Sequence, residues 1–302
     1  MSWLERQSFL GPDSEERLND VTVAIAGLGG GGSHTAQQLA HVGVGGFVLV
    51  DDDRIDNTNL NRLVGGTRQD VVDAWPKVDI AARLIRAVNP DARIRCVPRK
   101  WQEAVSEIIG ADAVFGCVDS VRAKDELEAF CRRLLIPYID QGMDVHEVGD
   151  GFLVAGQVVL SVPGAPCLRC LGVITDEALE EEARNYGAAG GKPQVVWPNG
   201  VLASTAVGLF MQTVTPWFTP ENLGECFEYD GNLHTVQPSD RMRRSRDLPC
   251  PHRSTQDIGD PMFDVRRMVT KPPALHRAEA TEVSRVVRRP WWRRLLGLSS
   301  SD

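Results

Sequence analysis

A glycine-rich turn between an apolar strand and a helix is the feature that most constrains the fold of this chain. The β-branched run Val21–Ala26 predicts a strand, and Ser33–Val42 has the apolar spacing of a helix. Between them, the pattern G-x-G-x-x-G places glycines at Gly27, Gly29 and Gly32. Such glycines let the backbone approach a phosphate, and the first amide groups of the helix bind anions. The turn therefore predicts a phosphate site, with a ligand-free turn as the alternative.

A carboxylate extends this site towards a sugar. Asp51 ends the next predicted strand, 19 residues after Gly32, where an acid can bind ribose hydroxyls. A ligand with both a phosphate and a ribose is a nucleotide. The chain contains no G-x-x-x-x-G-K-[ST] sequence, which excludes a P-loop.

Alternating strand and helix patterns predict an α/β fold. Apolar runs occur at Phe47–Val50, Ile94–Val97, Ala113–Val118 and Ile136–Ile139, with amphipathic segments at 78–88 and 122–135. Further along lie one or two strands in Phe152–Val162, an apolar helix at Pro198–Val214 and a hairpin over residues 225–237. Such alternation predicts a Rossmann-like, largely parallel sheet with helices on both faces, followed by later antiparallel strands.

The charge is distributed unevenly along the 302 residues. The net charge is -8, yet the segment Asp240–Asp302 holds 14 Lys and Arg against 8 Asp and Glu. We predict a nucleotide-binding domain over residues 1–238 and a basic C-terminal extension over residues 239–302 whose end is disordered. An acidic body argues against nucleic acid as a partner, because phosphate backbones are bound by concentrated positive charge.

Membrane and secretion signals are missing from the sequence. No stretch approaches the roughly 20 consecutive apolar residues of a membrane span, and Met1–Gly11 lacks a basic start with an apolar run. Seven cysteines are an odd number at low density, which argues against a disulfide scaffold. We therefore expect a cytoplasmic protein whose cysteines serve metal binding or thiol chemistry.

Three charged residues outside the glycine turn are expected near it. Arg62 ends a loop rich in acids and amides, Lys77 opens a helix after Pro76, and Asp119 follows a strand. The carboxyl edge of the sheet, where ligands bind, would bring them together. Two cations and one acid suit a triphosphate with Mg²⁺. The alternatives are a surface ion pair for Arg62, a solvated position for Lys77 and a helix N-cap for Asp119.

The order of these motifs resembles the MoeB/ThiF/HesA family of ubiquitin-activating-enzyme-like adenylyltransferases, over about residues 4–217. The motifs are G-x-G-G-x-G, D-x-D, N-x-x-R, P-K and a strand-ending D-S, together with the elements Glu5-Arg6-Gln7, Val42-Gly43-Val44-Gly45 and the segment 197–204. The resemblance implies a homodimer that binds ATP with Mg²⁺. It also implies adenylation of the C-terminal glycine carboxylate of a small ubiquitin-like or sulfur-carrier protein, with release of pyrophosphate.

The resemblance also implies a role for each matching position. Nucleotide contacts would come from Gly27, Gly29, Gly30 and Gly32, with Asp51 on the ribose and Asp53 close by. Phosphates would be bound by Asn59, Arg62 and Lys77, and Mg²⁺ by Asp119. Arg6 would reach the triphosphate bound to the neighbouring subunit.

A C-x-x-C pair predicts a metal site. Cys167 and Cys170 have the spacing that supplies half of a tetrahedral zinc site, and Cys250 with His252 is the best candidate for the other half. A closed four-ligand zinc would be structural and would tether the C-terminal extension. A redox pair or unliganded thiols are the alternatives.

Some relatives transfer the activated carboxyl group to a cysteine in the loop before the long helix. The corresponding loop, Val173–Val196, has no cysteine. We therefore predict adenylation without an obligatory enzyme thioester, with Cys226 as the candidate exception.

Three other functions are compatible with the same residues. The same fold could adenylate another acceptor, such as a tRNA base or a peptide. An NAD-dependent oxidoreductase and a non-catalytic nucleotide-binding scaffold are further alternatives. The basic, tryptophan-containing tail Val283–Leu298 could be a disordered end, a docking peptide for an acidic partner or an interfacial membrane segment.

Overall fold

One mixed sheet of eight strands organises the chain, in the order β3-β2-β1-β4-β5-β6-β7-β8. The computed structural model describes residues 2–184, 193–218, 225–253 and 258–259. The strands are β1 Thr22–Ala26, β2 Gly46–Val50, β3 Arg93–Val97, β4 Ala113–Gly116, β5 Tyr138–Val148, β6 Gly151–Ser161, β7 Glu225–Asp230 and β8 Thr235–Pro238. The tail Val283–Leu298 lies outside the described residues.

The type of strand pairing changes once across the sheet, between β4–β5 and β5–β6. Strands β1 to β5 pair in parallel, and β6, β7 and β8 follow as antiparallel neighbours. The helices are α1 Ser14–Asp20, α2 Gly30–His41, α3 Arg68–Val72, α4 Lys77–Val88, α5 Val105–Ile108, α6 Val121–Arg133, α7 Asp176–Arg184, α8 Val196–Val214 and α9 Asp240–Ser245. The predicted α/β fold with later antiparallel strands is confirmed.

Helices cover both faces of the sheet. On one face, Leu39 of α2, Ile85 of α4 and Phe210 of α8 are buried in a single apolar cluster. On the other face, Phe130 of α6 packs in a second cluster with Leu168, which lies between the paired cysteines. The parallel strands end at the same edge of this two-faced core, so loops after β1, β2 and β4 meet there. None of the helices in the described ranges is long and apolar enough to cross a membrane.

Strand β5 is much longer than the sequence pattern predicts. The apolar run ends at Ile139, but β5 continues to Val148 and pairs along its whole length with β6. The second half of the strand alternates between apolar and polar side chains, with Met143 and Val145 on one face and Asp144 and His146 on the other. This period of two is typical of a half-solvated strand and contains no continuous apolar run.

Regular structure also continues beyond the predicted boundary at residue 238. Ser239 caps α9 by accepting a hydrogen bond from the Arg241 amide, and Met242 is buried in the core. A short amphipathic helix of six residues has too few turns to give a clear periodic signal, so the sequence pattern did not predict α9.

Candidate active site

A cavity of about 1590 Å³ opens at the carboxyl edge of the sheet. One part is bounded by the loops that follow β1, β2, β3 and β4. The other part runs along strands β5, β6 and β7, where Gly142, Asp144, Ala155 and Asp230 contribute to the wall. The loops and the exposed strand face are therefore parts of one continuous space.

The glycines of the turn differ in what an added side chain would contact. Gly27 has a φ of +87°, and a Cβ there would lie 2.5 Å from the Cys117 carbonyl oxygen. A Cβ at Gly32 would collide with the Gly27 carbonyl oxygen, whereas a Cβ at Gly29 would meet no heavy atom within 4 Å. Gly27 and Gly32 are thus required by packing, while Gly29 faces open space in the cavity.

Helix α2 begins at Gly30, three residues before the predicted start. Its N-cap is Gly29, which supplies no side-chain hydrogen bond, so the amides of the first turn have no side-chain cap. Gly30 and Gly31 line the cavity, whereas Gly32, predicted to contact the nucleotide, packs behind the turn and is not among the lining residues.

Asp51 is fixed at the cavity wall by two backbone amides. Its carboxylate accepts hydrogen bonds from Leu28 N at 2.6 Å and from Asp53 N at 2.9 Å. Burial raises the pKa of this carboxyl group, while Lys77 and the two amides oppose the rise. Asp51, the residue predicted to bind the ribose, is therefore held rigidly beside the glycine turn.

Lys77 is not the solvated helix residue of the alternative interpretation. It is the first residue of α4, its side chain is 9% exposed, and its Nζ lies 2.6 Å from the Asp53 carboxylate and 4.0 Å from that of Asp51. The Asp53 side chain is 64% exposed, so this ion pair is at the rim of the cavity.

Arg62 lies at the cavity, but Asn59 does not. Within the described ranges no carboxylate pairs with Arg62, whose guanidinium donates to Thr58 O at 2.6 Å and to Asn61 Oδ1 at 3.1 Å. Asn59 is buried and accepts from the Asp56 amide in a capping box, so its carbonyl-type oxygen is already used. The structure thus brings Arg62 but not Asn59 to the predicted phosphate site.

Asp119 faces the cavity without capping the helix that follows. Ser120 is the N-cap of α6 and accepts from the Ala123 amide, while Asp119 Oδ1 accepts from Gln194 Nε2 at 3.2 Å. The carboxylate is exposed and lines the cavity. The alternative interpretation of Asp119 as the N-cap was therefore wrong, because the N-cap of α6 is the next residue, Ser120.

Arg6 is exposed and does not line the cavity of its own chain. Its 3-10 turn, Glu5–Leu10, is attached to the core through Gln7 Nε2, which donates to Val42 O at 2.9 Å. Aromatic side chains are exposed close to this turn: the rings of Phe9 and Trp217 are 6.2 Å apart between centroids.

Two amide side chains that pack on the turn were not predicted. A Cβ on Gly31 would lie 2.8 Å from Gln141 Nε2, and one on Gly30 would lie 2.5 Å from Asn199 Nδ2. Both amides are buried and line the cavity. Gln141 lies in the part of β5 that the apolar-run criterion missed, and the period-two pattern of that strand is the signal that could have revealed it.

The strand part of the cavity is a polar sheet face. In register across β5, β6 and β7 lie Gly142, Gln157 and Glu228, and in the next row lie Asp144, Ala155 and Asp230. Glycine and alanine leave depth between the charged side chains. This face can accept an extended peptide that points towards the glycine turn.

Cys167, Cys170, Cys250 and His252 form a cluster on the α6 side of the sheet. The three Sγ–Sγ distances are each 3.6 Å, and His252 Nδ1 is 3.6 and 3.4 Å from the sulfurs of Cys167 and Cys170. A tetrahedral zinc ion with ordinary bond lengths requires about 3.8 Å between sulfurs and about 3.6 Å between sulfur and nitrogen. The cluster therefore has the donor set and the size for zinc.

The cysteines nearest the cavity are poor nucleophiles. Cys226 is 2% exposed, and burial raises its pKa to about 11. Burial likewise raises the pKa of Cys117 to about 12. Because the thiolate is the reactive form, neither side chain is suited to accept an acyl group.

The sequence profile of the ThiF family matches residues 4–251. The SAMP-activating enzyme E1 of Haloferax volcanii is 35% identical over 164 residues, which are 54% of this chain and 57% of that relative. The sulfur carrier protein ThiS adenylyltransferase of Escherichia coli is 32% identical over 224 residues, which are 72% of this chain and 81% of that relative. The chain thus spans a little more than half the length of the first relative.

A solved structure shares the fold. Escherichia coli MccB, crystallised with ATP, superimposes with a TM-score of 0.65 at 20% identity, over 84% of this chain and 75% of that chain.

Proposed function

Because the chain belongs to the ThiF family, we propose that it uses ATP to adenylate the C-terminal glycine carboxylate of a small ubiquitin-like or sulfur-carrier protein. The family match confirms the resemblance indicated by the motifs. The observation that carries the proposal is the single cavity that joins the glycine turn and its cations to an open polar strand face. A nucleotide and an extended C-terminal peptide could meet in such a space.

The nucleotide would occupy the part of the cavity formed by the loops. In this proposal the backbone from Gly27 to Gly32 holds the phosphates, with Gly29 and Gly30 at the contact surface. Asp51 binds the ribose, and Lys77 exchanges its bond with Asp53 for a bond to phosphate. Asn59 supports the loop that carries Arg62, because the backbone carbonyl oxygen of Asn59 accepts a hydrogen bond from the backbone amide of Arg62 at 3.0 Å.

The reaction needs electrostatic stabilisation more than a general base. A terminal carboxylate is already ionised at pH 7, so its oxygen can attack the α-phosphorus directly. The bond from that phosphorus to the bridging oxygen breaks, and pyrophosphate leaves with the electron pair. Arg62 and Lys77 reduce the repulsion between the two anions and stabilise the departing charge, an effect commonly of several kcal/mol.

Mg²⁺ fits the donor set at the same edge. Asp119 presents an exposed carboxylate whose neighbour is the neutral Gln194 amide, and hard oxygen ligands of this kind suit Mg²⁺. The ion would neutralise phosphate charge when bound.

A homodimer would complete the site. Arg6 is exposed and lies outside the cavity of its own chain, so in this proposal it acts on a nucleotide bound to a second copy. The neighbouring aromatic residues are 68%, 57% and 43% exposed at Phe9, Trp3 and Trp217, and such a patch is typical of a surface that associates.

Zinc would serve structure in this proposal. The cluster of Cys167, Cys170, Cys250 and His252 offers four ligands, which leaves no coordination position for substrate. We also place the reaction in the cytoplasm, where ATP is available and where the free cysteines of the described chain would stay reduced.

The test is adenylate formation on defined acceptors. Purified protein is incubated with ATP, Mg²⁺ and candidate ubiquitin-like or sulfur-carrier proteins, and the products are analysed by mass spectrometry. We expect an acyl-adenylate on an acceptor with a free terminal glycine, and none on the same acceptor with its last glycine deleted. Modification of a short peptide or a tRNA instead would assign the alternative acceptor. Nucleotide binding without turnover on any of them would favour a scaffold.

A further inference from the structure

Two arginines next to the metal-cluster cysteines and histidine converge on one carboxylate. Arg169, which lies between Cys167 and Cys170 in the sequence, binds Asp125 through two nitrogens at 2.9 and 2.8 Å. Arg253, which follows His252, binds the same carboxylate at 2.7 Å and also binds the Asp125 carbonyl oxygen at 3.1 Å. Both halves of the cluster are therefore connected to a single residue of α6.

These contacts are well shielded from water. The side chains of Asp125 and Arg253 are 14% and 13% exposed, and Arg253 also binds Glu128, which is fully buried, at 2.7 Å. Burial acts to raise the pKa of Asp125, but Arg169 and Arg253 hold it below its usual value. Charge-assisted hydrogen bonds of this kind contribute more than exposed ion pairs.

Helix α6 connects this carboxylate to the cavity. The helix begins directly after Asp119 and Ser120, and its first turn lines the cavity. Lys124, which precedes Asp125, also lines the cavity and is fixed by the buried Asp140 at 2.9 Å. A displacement of α6 would therefore move Asp119 relative to the glycine turn.

Helix α7 is joined to the same assembly. Arg169 also binds Asp176 at the start of α7 at 2.8 Å, and Glu182 near its end accepts from the backbone amide of Arg122 at 2.8 Å. Asp176 is 81% exposed and Asp125 is 14% exposed, so the two carboxylates on Arg169 differ in burial, and Asp125 in addition binds Arg253.

From these contacts we propose that Asp125 is a positioning residue that couples the Cys/His cluster to the nucleotide end of the cavity. Arg169 and Arg253 reach Asp125 from two separate segments, which the four cluster residues bring together. Asp125 then holds the first turn of α6, and with it Asp119, in the position for nucleotide. The link to nucleotide rests on the proposed function, whereas the link from cluster to helix does not.

The experiment compares Asp125→Asn with Asp176→Asn. Both variants remove a carboxylate charge bound by Arg169; the first removes the buried carboxylate that Arg253 also binds, and the second removes an exposed one. We expect both to keep zinc at the wild-type stoichiometry. In Asp125→Asn, hydrogen exchange of the α6 amides at residues 121–124 should become about tenfold faster, and the Kd for ATP should rise about five- to tenfold. In Asp176→Asn both values should stay at the wild-type level.

Arg253→Gln provides a second variant that leaves all four cluster residues intact, and it should give the same acceleration of exchange. Unchanged exchange in Asp125→Asn and Arg253→Gln would overturn the proposal. Loss of zinc from Asp125→Asn would also overturn it, because Asp125 would then only maintain the cluster. If the wild-type protein bound no ATP, the proposed function would fail, while the exchange rates would still decide whether Asp125 couples the cluster to α6.

Discussion

A methyl group at Gly29 should separate nucleotide binding from folding, and one at Gly27 should not. A Cβ at Gly29 meets no heavy atom within 4 Å, and its φ of -74° lies outside the left-handed region that favours glycine. Alanine is a poorer N-cap than glycine by up to about 1 kcal/mol, and this is offset by about 0.4–1 kcal/mol from the stiffer unfolded chain. The free energy of unfolding of Gly29→Ala should therefore lie within about 1 kcal/mol of wild type.

Gly27→Ala provides the contrasting variant. Its φ of +87° costs an alanine about 1–2 kcal/mol, and the approach to the Cys117 carbonyl adds about 1–3 kcal/mol of overpacking. We expect a loss of about 2–5 kcal/mol in unfolding free energy, measured by chemical denaturation.

The ligand effect of Gly29→Ala follows from the position of the new methyl group. It would occupy the space through which a phosphate reaches the first amides of α2, and one lost hydrogen bond to a charged group costs about 1.5–3 kcal/mol. The Kd for ATP should rise about 10- to 100-fold by calorimetry, with folding retained. Wild-type affinity in Gly29→Ala would refute the placement of the phosphates, and a loss of stability equal to that of Gly27→Ala would refute the geometry of the turn.

Three further perturbations test other parts of the molecule. Asp70 has its pKa lowered to about 2, chiefly by hydrogen bonds from Arg83, so its ion pair stabilises the fold above pH 4 and is lost as the pH falls towards 2. Asp70→Asn should cost about 1–2 kcal/mol in unfolding free energy at pH 7, a modest value because Arg83 is 42% exposed. The cost should fall to less than about half of that at pH 2, where about half of the folded molecules carry a protonated Asp70, and an equal cost at the two pH values would contradict this. Cys226→Ala should leave adenylation unchanged, because we predict that no enzyme thioester is required. A thiol-labile adduct between enzyme and acceptor that forms with the wild type and not with Cys226→Ala would show that this prediction is wrong. Trp217→Arg, in the exposed aromatic patch of Trp3, Phe9 and Trp217, should convert dimers to monomers in analytical ultracentrifugation. Leu248→Arg, at an apolar residue that is 65% exposed and lies outside this patch, should leave the dimer intact. A Trp217→Arg variant that stays dimeric would show that the patch is not part of the interface.

The sequence predicted the nucleotide end of the cavity well because its determinants are local. A strand, a glycine turn, a helix start and a strand-ending acid are consecutive features, so Gly29, Asp51 and Lys77 could be placed together from spacing alone. Parallel strands then bring Arg62 and Asp119 to the same edge. All five residues line the cavity, while their roles in catalysis remain predictions.

Features that depend on how individual side chains make contacts, whether local or distant, were predicted less well. Asn59 matches a family motif, yet its side-chain oxygen closes a local capping box, and motif spacing cannot show how an oxygen is used. Gln141 and Asn199 reach the glycine turn only because β5 and α8 pack beside it. The convergence of Arg169 and Arg253 on Asp125 joins residues separated by 44 and 128 positions, which no local pattern reveals.

The most direct test of carboxylate adenylation is the exchange of radiolabelled pyrophosphate into ATP, measured with each candidate acceptor for the wild type, Arg62→Ala and Asp119→Ala. Both side chains are at the cavity surface and make few contacts, so the variants should fold normally by thermal denaturation. The account predicts exchange that requires an acceptor with a free terminal glycine and falls about 100-fold or more in both variants. Exchange that continues at the wild-type rate in both variants, or that needs no acceptor carboxylate, would contradict it.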